Sequence, residues 1–281
     1  YRSVALLFTG VVGLPIIAYL AQEKFIYFPD RRYFLEPKSW GFNDNNFKEL
    51  MLQTKDGLTI HCWFIKQKNS KGVPTILYCH GNGGNMSYGL PTYWRLSNQV
   101  GCNLFVLSYR GYGKSDGSPM ESGIKKDIDA CIEYLMSDES IDPEKLVIYG
   151  LSLGGAVAIN TSMRYPDKIK ANIFVNTFLS IPDMMDNIMG SLVLLKPLIK
   201  NKWMSKNSIR SITTPILFLS GREDTVVPPQ HMDKLEELAI NSSQKEIIRF
   251  EKYGHNDTEN NAGYSKHIKE FLIKVFGEWS P

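Results

Sequence analysis

The stretch from Lys145 to Asn160, KLVIYGLSLGGAVAIN, constrains the fold more than any other part of the sequence. Its apolar run over residues 146–149 is long enough for a strand and too short for a helix. An Ala-rich segment that favours a helix follows Ser152, which has a glycine two positions away on each side. Such glycines leave room for a sharp, strained turn that raises a serine hydroxyl at the carboxyl end of a strand. The stretch is therefore typical of a nucleophile elbow, G-x-S-x-G, with an ordinary Gly-rich strand-to-helix connection as the alternative.

Composition indicates a globular chain. The 281 residues are 43% hydrophobic, which is enough to bury a large core as one α/β domain or two small ones. The net charge of +3 is too small to indicate a nucleic-acid partner, and the sequence has no long basic run and no zinc-ligand spacing. No cofactor or metal is expected. The cysteines show no C-x-x-C spacing and are predicted to be reduced packing residues. They are Cys62, Cys79, Cys102 and Cys131.

A run without charge lies near the amino terminus, over residues 4–20. It is at the short end for a membrane span, and its proline and glycines would be costly in a soluble helix but are tolerated in a span. We expect residues 1–24 to form a single-pass transmembrane anchor. The aromatic-rich residues 25–48 would connect this anchor to a domain over residues 49–281. A cleaved signal peptide and an amphipathic or buried helix are the alternatives.

The basic residues around this run favour a cytosolic location for the domain. Arg2 alone precedes the run, whereas four basic residues follow it within residues 24–38. Cysteines without obvious disulfide partners agree with a reducing compartment. Four N-x-[ST] sequons point the other way, and we interpret them mostly as chance matches. They begin at Asn85, Asn160, Asn241 and Asn256.

Short apolar runs alternate with helical patterns along the rest of the chain. Strands are predicted at residues 50–54, 58–66, 75–79, 104–109, 146–149, 169–175, 216–220 and 246–250. Helices are predicted around the apolar stripe from Ile124 to Leu135, after Ser152, and at residues 229–239 and 263–275. This order predicts an α/β fold with a mostly parallel central sheet and helices on both faces.

A serine nucleophile needs a base, and the base needs a carboxylate that holds its tautomer and orientation. In a sheet of this kind the chain order is serine, acid, histidine, each just past the carboxyl end of a strand. Asp224 and His255 follow two of the predicted strands in that order. Glu223 is the alternative acid, but the turn register from Gly221 favours Asp224. The other four histidines are predicted to be structural.

The glycine-rich loop after the third strand, over residues 80–85, would help to hold an oxyanion. A tetrahedral intermediate needs two backbone N–H donors that are fixed in advance. Leu153, the residue after the nucleophile, would supply one, and Asn82 in the loop the other, with Gly83 as the alternative. A phosphate-binding loop is the competing interpretation, but the Gly-Lys-Ser/Thr pattern is missing after these glycines.

Six motifs along the chain are YCHGNGGN, SYRGYGKSDG, YGLSLGGAVA, NTFLSIP, SGREDTVVPP and YGHNDT. Taken together, they resemble the membrane-anchored eukaryotic α/β-hydrolases, the branch that includes abhydrolase-domain-containing protein thirteen and the fungal Bem-type hydrolases. The similarity covers almost the whole chain. The resemblance implies an α/β-hydrolase fold, a triad of Ser152, Asp224 and His255, and one N-terminal anchor. It does not specify a substrate.

A segment over residues 178–211 interrupts the strand–helix alternation where such folds carry a cap. It is rich in methionine and leucine, and such surfaces adapt to flexible apolar groups. Met184, Met185 and Met189 are therefore candidate substrate-binding residues, although simple helix packing is an equal alternative. Lysines and an arginine give the segment a basic rim that could face anionic lipid.

The sequence thus predicts a membrane-tethered serine hydrolase that cleaves carboxylic esters or thioesters with an apolar acyl part. The expected partners are a small or lipid-like substrate and the membrane, with no nucleic acid and no protein partner specified. A serine peptidase, a non-catalytic scaffold and an acyltransferase are the alternative functions.

Overall fold

The computed structural model describes residues 22–188 and 196–281. The strands are β1 (Phe28–Pro29), β2 (Phe47–Gln53), β3 (Thr59–Ile65), β4 (Thr75–Cys79), β5 (Gly83–Gly84), β6 (Asn103–Leu107), β7 (Leu146–Leu151), β8 (Ala171–Val175), β9 (Ile216–Gly221) and β10 (Lys245–Phe250). The α-helices are α1 (Leu90–Arg95), α2 (Glu121–Ser137), α3 (Leu153–Arg164), α4 (Ile181–Ile188), α5 (Ser205–Ser208), α6 (Gln230–Leu238) and α7 (Tyr264–Phe276). Residues 22–26 are also helical.

Eight strands form one sheet in the order β10-β9-β8-β7-β4-β6-β3-β2. Only the β2–β3 and β3–β6 pairs are antiparallel. The other pairs are parallel, so the carboxyl ends of β4, β7, β8, β9 and β10 lie along one edge of the sheet. The loops that leave this edge carry the candidate site, as expected for an open α/β sheet.

Helices cover both faces of the sheet, and the alternation within each strand shows why. In β6, Phe105 and Leu107 belong to one buried cluster, whereas Leu104 and Val106 belong to the other. Because successive side chains of a strand point to opposite faces, a central strand that is apolar throughout needs a cover on each side. Helices α2, α3 and α6 pack on the first face, and α1 and α7 on the second. The predicted fold class is confirmed.

The aromatic segment that precedes β2 packs against the domain. Tyr27 and Phe42 are buried, one in each cluster. The two-residue strand β1 pairs in parallel with β5, so Phe28 lies opposite Gly83 in the glycine-rich loop. The segment is therefore joined to the loop that follows β4, an arrangement that the sequence did not predict.

Three further predictions concern the cysteines, the membrane anchor and the cap residue Met189. All four cysteines are buried and none forms a disulfide. Among residues 22–188 and 196–281, no helix is both long and apolar enough to cross a membrane. Nearly all of the anchor predicted for residues 1–24 lies outside the described residues, as does Met189 in the proposed cap.

Candidate active site

Ser152 lies at a strained turn between β7 and α3. Its φ of 54° is in the left-handed region, which non-glycine residues seldom adopt. The turn is tight because its neighbours almost touch: a Cβ on Gly150 would lie 2.2 Å from the carbonyl oxygen of Gly154. A Cβ on Gly154 would lie 2.0 Å from the carbonyl oxygen of Cys79 in β4. Both glycines of the G-x-S-x-G pattern are thus required by close backbone contacts.

The structure brings Ser152, His255 and Asp224 into one hydrogen-bonded series. The Oγ atom of Ser152 lies 3.0 Å from Nε2 of His255, and Nδ1 of His255 lies 2.7 Å from Oδ2 of Asp224. The carboxylate accepts from Nδ1–H, which leaves Nε2 with a lone pair that accepts from the serine hydroxyl. This arrangement places a base beside the hydroxyl and an acceptor behind the base, as nucleophilic catalysis requires.

Asp224, rather than Glu223, is the acid that contacts the histidine. Its second oxygen, Oδ1, accepts from the backbone N–H groups of Val226 and Val227 at 2.8 and 2.7 Å. With both oxygens engaged, the carboxylate is fixed in orientation at the end of β9. The Asp224 side chain is almost fully buried against the histidine ring, so water does not compete for the contact.

Asn82 is held in place by its own side chain. Its Oδ1 atom accepts from the hydroxyl of Tyr112 at 2.8 Å and from the N–H of Phe28 at 3.3 Å, and its Nδ2 atom donates to the carbonyl of Ile26 at 2.6 Å. No backbone hydrogen bond from Asn82 or Leu153 occurs within the described chain outside the regular elements. Leu153 begins α3, and the first N–H groups of a helix have no intrahelical acceptor. Both residues line the same cavity as Ser152.

The cavity above Ser152 has a volume of about 1020 Å³ and a mostly apolar lining. Met184 and Met185 of the proposed cap are part of that lining, together with Phe178 and Ile181. Residues 22, 25, 26 and 28 form another part of the wall. The start of the aromatic segment and the glycine-rich loop therefore both bound the cavity. A large apolar space with a few polar groups at one end is typical of a site for an apolar ligand.

His80 also lines the cavity but is unsuited to be a base. Burial lowers the pKa of His80 to about 4, so the ring is a weak proton acceptor near pH 7. Its Nδ1–H donates to the carbonyl of Gly81 at 2.6 Å, and the ring packs on Tyr109 with centroids 4.2 Å apart. These contacts support the glycine-rich loop from below, in line with the predicted structural role.

Sequence reasoning missed Asn176, which joins the loops that carry the acid and the histidine. Asn176 follows β8 and has a φ of 43°. Its Oδ1 atom accepts from the N–H of Gly221 at 2.8 Å, and its Nδ2 atom lies 3.2 Å from the carbonyl of Gly254 and 3.1 Å from that of His255. A usable signal was its position directly after a strand at the site edge, since asparagine tolerates positive φ better than most residues.

Replacing Asn176 with alanine is expected to lower kcat about 100-fold for the ester hydrolysis that the sequence predicts, because a displacement of about 1 Å between reacting groups costs that much. KM should change little, since Asn176 does not line the cavity. Steady-state kinetics on a soluble ester measure both quantities.

The matched control is Asn172→Ala at the other end of the same strand. Asn172 is equally buried and donates to the hydroxyl of Thr214 and the carbonyl of Pro215, at the edge away from Ser152. We expect this variant to lose stability and to keep its kcat. Equal kcat values for the two variants would show that Asn176 has no positioning role beyond general stability.

Comparisons with known proteins identify relatives that match most of this chain. The chain is 38% identical to the protein bem46 of Schizosaccharomyces pombe over 98% of this chain and 93% of the relative. It is 35% identical to the alpha/beta hydrolase domain-containing protein WAV2 of Arabidopsis thaliana over 96% of this chain and 94% of the relative. It is 40% identical to YNL320W, an uncharacterized membrane protein of Saccharomyces cerevisiae, over 81% of this chain and 80% of the relative.

Solved structures show the same fold at low sequence identity. The esterase Pf2001 of Pyrococcus furiosus is 20% identical and superposes with a TM-score of 0.72, covering 89% of this chain and 100% of that one. A family model for the alpha/beta hydrolase fold matches residues 74–211, from β4 through the elbow to the end of the proposed cap. The chain therefore belongs to the α/β-hydrolase fold family, in its Bem46-type branch of abhydrolase-domain proteins.

Proposed function

We propose that this protein is a serine hydrolase that cleaves carboxylic esters or thioesters with an apolar acyl part. The observation that carries the proposal is the hydrogen-bonded series of Ser152, His255 and Asp224, of which Ser152 and His255 line an apolar cavity. In this scheme His255 removes the proton from Ser152 as the hydroxyl oxygen attacks the carbonyl carbon. Asp224 keeps the imidazole in the required tautomer and stabilises its positive charge.

The backbone N–H groups of Leu153 and Asn82 would hold the oxyanion of the tetrahedral intermediate. Each such donor contributes about 3 kcal/mol to the transition state when it is fixed beforehand. Asn82 meets this condition because its side chain is tied to Ile26, Phe28 and Tyr112. The alcohol or thiol then leaves with the proton from His255. Water hydrolyses the acyl-enzyme, with His255 first taking a proton from the water and then returning it to Ser152.

The substrate class is inferred from the cavity. Apolar side chains dominate its wall, and no charged side chain except Glu259 is part of the described lining, so an aliphatic chain fits better than a charged group. We further propose that residues 1–24 tether the enzyme to a membrane, with the domain on the cytosolic side. One relative of similar length is described as a membrane protein.

The proposal is tested by labelling the full-length protein with a fluorophosphonate, which reacts only with an activated serine. The wild type is expected to label at Ser152, identified by mass spectrometry of the modified peptide, and Ser152→Ala is expected to remain unlabelled. Acyl esters of increasing chain length should compete more strongly. A folded wild type that does not label would favour the scaffold alternative, and competition by peptide amides rather than esters would favour a peptidase.

A further inference from the structure

The rim of the cavity carries an unusual share of the apolar surface. Ten large hydrophobic side chains are exposed in the described part of the chain, and five of these line the cavity. The five are Phe25, Phe28, Tyr88, Leu198 and Val226. Exposed apolar groups scattered singly need no explanation, but a cluster around one opening marks an interaction surface.

The five rim residues come from four separate stretches of the chain that only the fold brings together. Phe25 and Phe28 belong to the aromatic segment, and Tyr88 lies between β5 and α1. Leu198 belongs to the proposed cap, and Val226 to the loop that follows β9. Phe25 is 70% exposed and Val226 is 50% exposed. Covering such side chains with an apolar partner surface is favourable, because apolar area then leaves water.

The chain immediately before residue 22 limits what that partner can be. The side chain of Gln22 lines the cavity, and its amide bonds to the cap. Its Nε2 atom donates to the carbonyl of Leu198 at 3.3 Å, and its Oε1 atom accepts from the N–H of Lys200 at 2.6 Å. The uncharged run over residues 4–20 ends two residues earlier. Two residues span at most about 7 Å, so a bilayer that takes up this run lies close to the cavity rim.

Exposed basic residues lie close in sequence to the rim residues. Lys24 is exposed beside Phe25, Arg32 is exposed a few residues after Phe28, and Lys202 is exposed after the cap residue Leu198. Apolar groups that insert and cations that meet headgroups are the combination by which proteins bind anionic lipid surfaces. We propose that the cavity rim docks on an anionic bilayer, so that an acylated substrate enters the cavity directly from the lipid. The inference rests on the proposed function for its substrate.

The test places an environment-sensitive fluorophore on the rim of the full-length protein in vesicles of phosphatidylcholine and phosphatidylserine. The native cysteines are buried, so a nitrobenzoxadiazole label is directed to the introduced cysteine in Val226→Cys. The control is Ile240→Cys. Ile240 is 64% exposed. It follows α6 near the amino edge of the sheet, where Ser243 bonds to Thr213 before β9.

Docking predicts a blue-shifted emission for the label at Val226 and at least twofold quenching by lipids with brominated acyl chains, with neither change at Ile240. Leu198→Cys provides a second rim position and should behave like Val226→Cys. Emission from both rim labels that matches Ile240 and is not quenched would overturn the proposal. The measurement does not require turnover, so it tests docking separately from hydrolysis. Quenching at the rim positions in a protein that a fluorophosphonate does not label would support the docking surface and contradict the proposed hydrolase activity.

Discussion

Replacing His255 with alanine is expected to lower kcat for ester hydrolysis about 10⁶-fold, which is the scale on which a serine hydrolase loses its base. The reason is that Nε2 of His255, at 3.0 Å, is the hydrogen-bond partner of the Ser152 hydroxyl within the described chain. Replacing Asp224 with alanine should cost less, about 10⁴-fold, because the imidazole remains but loses its fixed tautomer. The double variant should be no slower than His255→Ala, since the two residues act as one unit.

Single-turnover hydrolysis of a chromogenic ester measures these losses, with thermal unfolding as a check on folding. His267→Ala is the matched control. His267 lies in α7 and packs against Phe250, on no wall of the cavity. Its replacement should leave kcat within about twofold, as expected for a side chain outside the reacting groups. Activity retained by folded His255→Ala would mean that Ser152 is activated in another way or is not the nucleophile.

Replacing Gly154 with alanine is expected to lower the free energy of unfolding by about 3 kcal/mol or more, at the upper end for overpacked sites. The new Cβ would lie 2.0 Å from the carbonyl oxygen of Cys79 and 2.6 Å from that of His80. Both are backbone atoms of the central strand β4 and its loop, so no side-chain rotation relieves the clash. Helix α3 would have to move away from the sheet.

Gly83→Ala provides the comparison within the same region. A Cβ at Gly83 has open space, with no atom within 4 Å, and its φ is not in the left-handed region. Its free energy of unfolding should stay within about 0.5 kcal/mol of the wild type, as for a surface substitution. Urea denaturation measures the free energy of unfolding of both variants, and an unchanged m-value shows that the difference is one of stability. A stability loss below about 1 kcal/mol for Gly154→Ala would show that the elbow relaxes around an added methyl group.

Much of this architecture could be predicted because it is encoded locally. Short apolar runs mark the strands, and parallel strands gather the residues that follow them at one edge of the sheet. The proximity of Ser152, Asp224 and His255 follows from that rule and from their order along the chain. The choice of Asp224 over Glu223 was also predictable, because only a turn that begins at Gly221 places the fourth residue toward the site.

The features that were missed depend on contacts between distant parts of the chain. The N–H of Phe28 donates to the side chain of Asn82, which lies 54 residues later. The strands β1 and β5 have two residues each, which is too short for a periodic pattern to predict them. Asn176 was visible only as an asparagine after a strand, and its role depends on acceptors 78 and 79 residues away. Hydrogen bonds of this kind follow from the assembled fold and leave little trace in local sequence.

The pairing of β1 with β5 has a practical consequence for protein engineering. A shortened version that starts at residue 49, where the sequence suggests that the domain begins, would delete Ile26 and Phe28, two partners of the Asn82 side chain. It would also delete the cavity wall formed by residues 22–28. Expression boundaries should therefore lie ahead of Gln22, so that a shortened version keeps the aromatic segment.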